Sequence, residues 1–153
     1  MSYQCQLIDR PSQPVASIRT HAAVENLPQV LGQAYGAVAQ YLGQIGQSPI
    51  GEPFTAYYNM DMQNLDLEIG FPVAKAIPGK DTIQPGEIPG GKAVTCMHKG
   101  PYDKMAEAYE AMDQWMKDNH VEPSGVCYEF YLNGPQQVSP EALETRIMFP
   151  IKS

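Results

Sequence analysis

The sequence of this chain repeats itself, and the repeat limits the folds that the chain can adopt. Residues 49–59 (PIGEPFTAYYN) match residues 123–133 (PSGVCYEFYLN) at an offset of 74 residues. Self-similarity at a fixed offset is the signature of a repeated structural unit, so the sequence predicts two copies of one unit. The other matched segments are Ala34-Tyr35 with Ala108-Tyr109, 16–21 with 93–98, and 65–73 with 143–151.

Each copy is predicted to run strand, helix, strand, strand. Apolar residues recur at helical spacing over residues 27–45 and 105–116, whereas the flanking segments are short and rich in β-forming residues. Asn26 is the predicted N-cap of the first helix, and Gly46 is its predicted end. The predicted fold class is α+β, with duplicated β-α-β-β units related by a pseudo-two-fold axis and one helix packed on each half of an antiparallel sheet.

The length of 153 residues favours a single domain over residues 1–153. Within it we predict a first repeat at about 3–74, a linker at about 75–90 and a second repeat at about 91–153. Three Pro-Gly steps in the linker favour a surface loop. Residues 3–8 are predicted to add a lead strand.

Charge and composition argue against several functions. The chain has 10 basic and 17 acidic residues, and its net charge of −7 opposes direct contact with nucleic acid or with anionic lipid. No apolar run approaches the length of about 18 residues that a membrane-spanning helix needs. The three cysteines show no CxxC spacing, which argues against a disulfide framework and a structural zinc site. The N-terminus lacks the features of a signal peptide, so we expect a cytoplasmic protein. We expect no metal, because no third or fourth ligand accompanies His21 and His98, and no cofactor, because no phosphate-binding glycine motif occurs.

Glu129 is the most informative candidate for a functional residue, because it lies among aromatic residues in a predicted strand. A buried carboxylate is costly without a partner. Strand alternation groups Glu129 with Tyr131, and we predict that their face lies opposite the helix, in a cleft between the two copies. The matching residues of the first copy are Thr55 and Tyr57. The alternative is a hydrated sheet face on which these residues are ordinary half-exposed side chains.

The predicted cleft has two uses. Aromatic ring faces around one negative charge bind a lipophilic cation, and a carboxyl group against an apolar wall suits general acid or base chemistry. Glu68 and Trp115 are further candidates at the border of the cleft. The residues predicted to face the helices are Phe54, Ala56 and Tyr58 in the first copy and Tyr128, Phe130 and Leu132 in the second.

Short motifs in a fixed order resemble the GyrI-like small-molecule-binding domain, which is also the effector-binding domain of some multidrug-responsive transcription regulators. The resemblance covers nearly the whole chain and implies the duplicated fold that the haem-binding SOUL proteins share. The motifs are 91–94 (GKAV), 98–102 (HKGPY), 123–125 (PSG), 128–133 (YEFYLN), 139–143 (SPEAL), 147–151 (IMFPI) and, in the first copy, 66–73 (DLEIGFPV).

The resemblance implies roles for particular residues. In the regulators, a carboxylate on a late strand lies in an aromatic pocket and meets cationic drugs, and Glu129 holds that motif position. Some stand-alone members are described as hydrolases of cyclopropane-containing electrophiles that use a Glu and a Tyr, which implies catalytic roles for Glu129 and Tyr131. Another member antagonises DNA gyrase. Arg146 stands where the family more often has an acidic residue. If that acid helps to match the charge of a ligand, its replacement by Arg146 weakens the preference for cations.

The sequence therefore predicts a stand-alone protein that binds a small aromatic or lipophilic molecule, with a cation as one option, in the cleft between the repeats. No helix-turn-helix precedes the domain, so we expect that the chain is not itself a complete DNA-binding regulator. From its acidic charge we expect no direct contact with nucleic acid and none with a membrane. Two alternatives stay open: a hydrolase of reactive electrophiles, and an inhibitor of a protein partner of the gyrase-antagonist type. The predicted ligand-binding residues are Glu129, Tyr131, Tyr57, Thr55, Glu68 and Trp115.

Overall fold

The computed structural model describes residues 3–134 and 136–152. Within these residues the chain forms eight strands and two α-helices, together with three short 3₁₀ helices. The elements are β1 Gln6–Arg10, β2 Gln13–Ala22, α1 Leu27–Gln44, β3 Phe54–Tyr57, β4 Leu65–Pro72, β5 Ile83–Ile88, β6 Gly91–Lys99, α2 Met105–Asp118, β7 Cys127–Tyr131 and β8 Glu144–Pro150.

These elements divide into two compact units. Residues 11–90 form one, which we call the Thr55 unit, and residues 3–10, 91–134 and 136–152 form the Glu129 unit. The Thr55 unit is an antiparallel sheet of order β3-β4-β2-β5 with α1 packed against β4 and β2. The Glu129 unit is an antiparallel sheet of order β7-β8-β6-β1 with α2 packed against β6.

The strand orders of the two units correspond position for position. Each unit contains the predicted sequence of strand, helix, strand, strand, and the predicted α+β fold class is confirmed. The duplication of the unit and its pseudo-two-fold axis stay predictions.

The helices follow the apolar pattern that predicted them. Asn26 precedes α1 as expected, although its side chain makes no capping hydrogen bond. Gly46 follows the helix with a φ of 73°, a conformation that glycine adopts at little cost, which confirms the predicted end. Neither helix in the described residues is long and apolar enough to cross a membrane. The buried helical residues are Ala34, Val38, Tyr41 and Leu42 in α1 and Met105, Ala108, Met112 and Met116 in α2.

Two segments differ from what the sequence pattern suggests. The predicted linker at residues 75–90 contains β5, which pairs with β2. Pro85 interrupts the strand pattern in the sequence, but an edge strand tolerates proline because its outer N–H groups have no strand to bond. The predicted lead strand is β1, and it pairs with β6 far along the chain. An edge strand is therefore supplied to each unit by a segment outside the β-α-β-β core.

In β3 and β7 the helix covers the opposite face of the strand from the one that was predicted. Thr55 Oγ1 lies 2.9 Å from the hydroxyl of Tyr35 on α1, and Tyr57 packs in the apolar cluster beneath the same helix. Glu129 likewise bonds with Tyr109 on α2. Both faces of these strands are buried, so alternation could not mark the face that the helix covers. The residues wrongly predicted to face the helices include Phe54, Ala56, Tyr128 and Phe130.

Candidate functional site

The candidate site is centred on the carboxylate of Glu129 in β7. Only 9% of this residue is exposed. Tyr131 Oη donates a hydrogen bond to Oε1 at 2.7 Å, and Tyr109 Oη of α2 donates to Oε2. Because both carboxylate oxygens accept from hydroxyl donors, the cost of burying the negative charge is offset by charge-assisted hydrogen bonds.

The local structure explains how these groups meet. Glu129 and Tyr131 are two residues apart in β7 and therefore share one face of the sheet. Helix α2 covers that face and presents Tyr109. The ring of Tyr109 meets Phe149 of β8 edge-on, with centroids 6.0 Å apart and an interplanar angle of 84°. This contact buries the ring and leaves its hydroxyl directed at the carboxylate.

Cys127 extends the network by one more donor. Its Sγ donates to Tyr109 Oη at 3.5 Å, so that thiol, phenol and carboxylate form a chain. Burial raises the pKa of the Cys127 thiol to about 12. Burial, followed by the neighbouring Cys127 and Glu129, raises the pKa of Tyr109 far above its ordinary value. Both groups are therefore protonated at neutral pH, and the hydrogen bonds of the chain run from the thiol to the phenol and from the phenol to Glu129.

Tyr102 lies on the solvent side of this cluster. Its ring is edge-on to that of Tyr131, with centroids 6.0 Å apart and an interplanar angle of 74°. Burial raises the pKa of Tyr102, and the charge of Glu129 raises it further, which indicates that the two groups are close enough to interact. Exposure falls from Tyr102, at 40%, through half-buried Tyr131 to Glu129. The carboxyl group is therefore the most buried of these three side chains, and Tyr102 is the most exposed.

Three of the predicted site residues belong to the Thr55 unit. Thr55 and Tyr57 lie on the face that α1 covers. Glu68 lies on the opposite face, where Ser17 Oγ and Tyr58 Oη each donate to one of its oxygens at 2.6 Å. Glu68 is therefore not grouped with Thr55 and Tyr57 within this unit. The cleft predicted between the copies stays a prediction.

Trp115 lies on α2 with Tyr109 but points elsewhere. Residues six apart in a helix are about 9 Å apart along its axis and differ by about 240° in direction. Trp115 is half-buried, and its position does not group it with the hydroxyl of Tyr109. Of the six predicted residues, the structure brings together Glu129 and Tyr131.

Sequence reasoning did not include Tyr102 and Tyr109 among the site residues. A signal for Tyr109 was present, because a tyrosine occurs at the same repeat position in both helices, as Tyr35 and Tyr109. A buried tyrosine hydroxyl needs a hydrogen-bond partner, and the partner of a helix residue lies on the strand beneath it. No comparable signal marked Tyr102, which belongs to a 3₁₀ helix before α2.

Comparison with known proteins gives one family and several similar folds. The family model described as a GyrI-like small molecule binding domain matches residues 3–152. No curated protein matches the chain. The EcmrR C-terminal domain is 27% identical, with a TM-score of 0.84 over 100% of this chain and 99% of that chain.

Two other solved structures extend this comparison. EcmrR in its complex with DNA is 26% identical over 99% of this chain, with a TM-score of 0.85, and the match spans 58% of the EcmrR chain. SAV2435 bound to tetraphenylphosphonium is 13% identical, with a TM-score of 0.66 over 100% of this chain and 95% of that chain. At that identity the likeness shows the fold alone.

Proposed function

This chain belongs to the GyrI-like small-molecule-binding domain family, and we propose that it binds a lipophilic aromatic cation at Glu129. The observation that carries the proposal is the nearly buried carboxylate held by two tyrosine hydroxyls. A negative charge in low-dielectric surroundings attracts a cation more strongly than the same charge in water does. The proposed ligand therefore combines a positive charge with an apolar body.

The surrounding rings favour an aromatic ligand. Tyr102, Tyr109 and Tyr131 lie around the carboxylate, and Tyr102 and Tyr131 lie toward solvent. Ring faces attract cations, and offset or edge-on ring contacts add to the burial of an aromatic ligand. In this proposal the hydroxyls of Tyr109 and Tyr131 keep their hydrogen bonds to Glu129, and the bound cation adds its charge to them.

A thermal-shift titration with tetraphenylphosphonium tests the proposal. At about 100 times its dissociation constant, a ligand specific for the folded state stabilises it by about 2.7 kcal/mol, which raises Tm by about 5–10 °C in a domain of this size. Triphenylphosphine oxide serves as the neutral aromatic probe. We expect a clear shift with the cation and little or none with the neutral compound.

Glu129→Gln is the decisive variant, because it keeps the shape of the side chain and removes its charge. We expect it to abolish the shift with tetraphenylphosphonium. Glu68→Gln is the matched control, because Glu68 is also a carboxylate held by a tyrosine hydroxyl and its variant should bind normally. Equal shifts for wild type and Glu129→Gln would contradict the proposal, and a loss of binding in Glu68→Gln would bring the Thr55 unit into the site.

A second candidate function uses the same pair of residues. Glu129 and Tyr131 form a hydrogen-bonded carboxylate and phenol at 2.7 Å, which could act as base and proton donor in the hydrolysis of an electrophile. Turnover distinguishes the two functions, since a binding protein stops at one equivalent of ligand. For a hydrolase, Glu129→Gln should lower the rate by about 10²–10⁴.

A further inference from the structure

Two of the three cysteines lie opposite each other on neighbouring strands. Cys96 is in β6, and Cys5 is the residue immediately before β1. These strands are antiparallel, with Gln6 opposite Thr95. Continuing this register by one residue places Cys5 opposite Cys96. Residues directly opposite each other on antiparallel strands have Cα atoms about 4.5–5.5 Å apart, which lies within the range that a disulfide spans.

The side chains of this pair are also close to each other. The strand register places them on the same face of the sheet, and Cys5 is near enough to raise the pKa of the Cys96 thiol. Both residues line a cavity of about 380 Å³ in the Glu129 unit, and Glu129 is not among the residues that line it. Cys5 is half-buried, whereas Cys96 is 2% exposed. A small oxidant therefore meets Cys5 first.

The third cysteine provides a contrast within the same unit. Cys127 is 5% exposed, and its thiol contacts the hydroxyl of Tyr109 and the carbonyl oxygen of Tyr128. Cys127 is about as buried as Cys96, but among the described residues no cysteine lies opposite it on a neighbouring strand. A buried thiol of this kind behaves as a small apolar side chain with a weak donor.

We propose that Cys5 and Cys96 form a peroxide-oxidisable dithiol, which closes to a disulfide between the N-terminal segment and β6. The proposal rests on the register of the two strands and on the cavity that both residues line. It is independent of the ligand proposed at Glu129.

The chemistry balances with hydrogen peroxide as the oxidant. The sulfur of Cys5 attacks one peroxide oxygen, the O–O bond breaks, and Cys5 becomes a sulfenic acid as its proton leaves with the other oxygen as water. The sulfur of Cys96 then attacks the sulfenic sulfur, the S–O bond breaks, and the proton of Cys96 leaves with the hydroxyl group as a second water. The two thiols are oxidised by two electrons and the peroxide is reduced to two waters.

The burial of Cys96 sets the order and the speed of these steps. Burial raises the pKa of its thiol to about 12, and the neighbouring Cys5 adds to the effect. The thiolate is the attacking form, so Cys96 is the slow partner and the disulfide should close faster as pH rises. Cys5 is the residue on which the sulfenic acid forms.

The position of the bond gives it a large effect on stability. Residues 3–10 and 91–152 of the Glu129 unit are separated in sequence by the whole Thr55 unit. A disulfide between Cys5 and Cys96 would close a loop of about 90 residues and remove much of its entropy from the unfolded chain. We expect Tm to rise by about 10 °C on oxidation.

Peroxide treatment of the full chain, followed by denaturation and thiol titration, tests the proposal. Free thiols should fall from the three of the reduced chain to one, and the intact mass should fall by two hydrogen atoms. Peptide mapping should join Cys5 to Cys96, and dithiothreitol should restore all three thiols. Cys127→Ser should still form the bond, whereas Cys5→Ser should form none. Three thiols retained in the wild type, a bond that includes Cys127, or sulfinic acid on Cys5 without a disulfide would each overturn the proposal.

Discussion

The helix of each unit carries a tyrosine at the same position of the sequence repeat, but the strand residue that its hydroxyl contacts differs between the units. In the Thr55 unit the hydroxyl of Tyr35 lies 2.9 Å from Thr55 Oγ1. In the Glu129 unit the hydroxyl of Tyr109 donates to the carboxylate of Glu129. Each tyrosine ring meets edge-on a phenylalanine in the sheet of its own unit, at centroid distances of 5.5 Å for Tyr35 and 6.0 Å for Tyr109. The packing of the tyrosine ring is therefore the same in both units, whereas its hydroxyl contacts the hydroxyl of Thr55 in one unit and the carboxylate of Glu129 in the other.

This difference separates the structural role of the contact from its chemical role. Thr55 is fully buried, and a hydroxyl pair is neutral and satisfied there. Glu129 occupies the matching position with a charge, a second tyrosine at Tyr131 and an exposed ring at Tyr102. The tyrosine on the helix therefore serves packing in both units, and the carboxylate of Glu129 beneath Tyr109 is what distinguishes the proposed binding site from its counterpart at Thr55.

The largest effect should follow from placing a charge at Thr55, the neutral counterpart of Glu129. Thr55 is 0% exposed, and the hydroxyl of Tyr35 already donates to the carbonyl oxygen of Phe54 at 2.8 Å. Thr55→Glu would bury a carboxylate with too few donors, so we expect the free energy of unfolding to fall by about 3–5 kcal/mol. Urea unfolding measures this loss.

Thr55→Gln is the control, since it has the size of Thr55→Glu without the charge. The difference between the two variants isolates the cost of charge from the cost of overpacking. If both variants lose the same stability, the Thr55 unit accommodates a carboxylate as well as the Glu129 unit does, and the proposed distinction between the units is wrong.

A smaller effect is expected when the hydroxyl of Tyr109 or of Tyr35 is removed, and the loss of stability should differ between the two variants. Tyr109→Phe removes a donor from a charged acceptor and should cost about 2 kcal/mol, because hydrogen bonds to charged groups contribute about 1.5–3 kcal/mol. Tyr35→Phe removes contacts between neutral groups, with Phe54 O and with Thr55 Oγ1, and should cost about 1 kcal/mol. Chemical unfolding of both variants under the same conditions gives the comparison. A cost for Tyr35→Phe equal to or above that of Tyr109→Phe would contradict it.

The fold was predictable from the sequence where the signals are local. The apolar stripes located both helices, and Gly46 marked the end of α1 because a left-handed residue after a helix is a local property. The strand β5 was missed because its Pro-Gly step resembles a loop, and its pairing with β2 is a contact distant in sequence. The partner of β1 could not be predicted for the same reason.

The candidate site was predictable in part. Glu129 and Tyr131 are two residues apart, so their shared face followed from strand geometry alone. The contribution of Tyr109 depends on which face α2 covers. That choice is made by tertiary packing, and β7 gives no clue because both of its faces are buried. Residues joined by local geometry were therefore found, and those joined by packing were not.

The smallest effect concerns a thiol that one unit has and the other lacks. Cys127 corresponds to Pro53 in the Thr55 unit, and burial raises the pKa of its thiol from 9.0 to about 12. Between these values the unfolded chain has lost the proton and the folded chain keeps it, so this contribution to stability is complete below pH 9 and declines as pH rises toward 12. From pH 8 to pH 10 the decline should be about 1 kcal/mol for this one group. Cys127→Ala should remove that part of the decline, as measured by urea unfolding at both pH values. An unchanged decline in Cys127→Ala would mean that Cys127 titrates in the folded protein as it does in the unfolded chain, and that the thiol does not belong to a protonated network beneath α2.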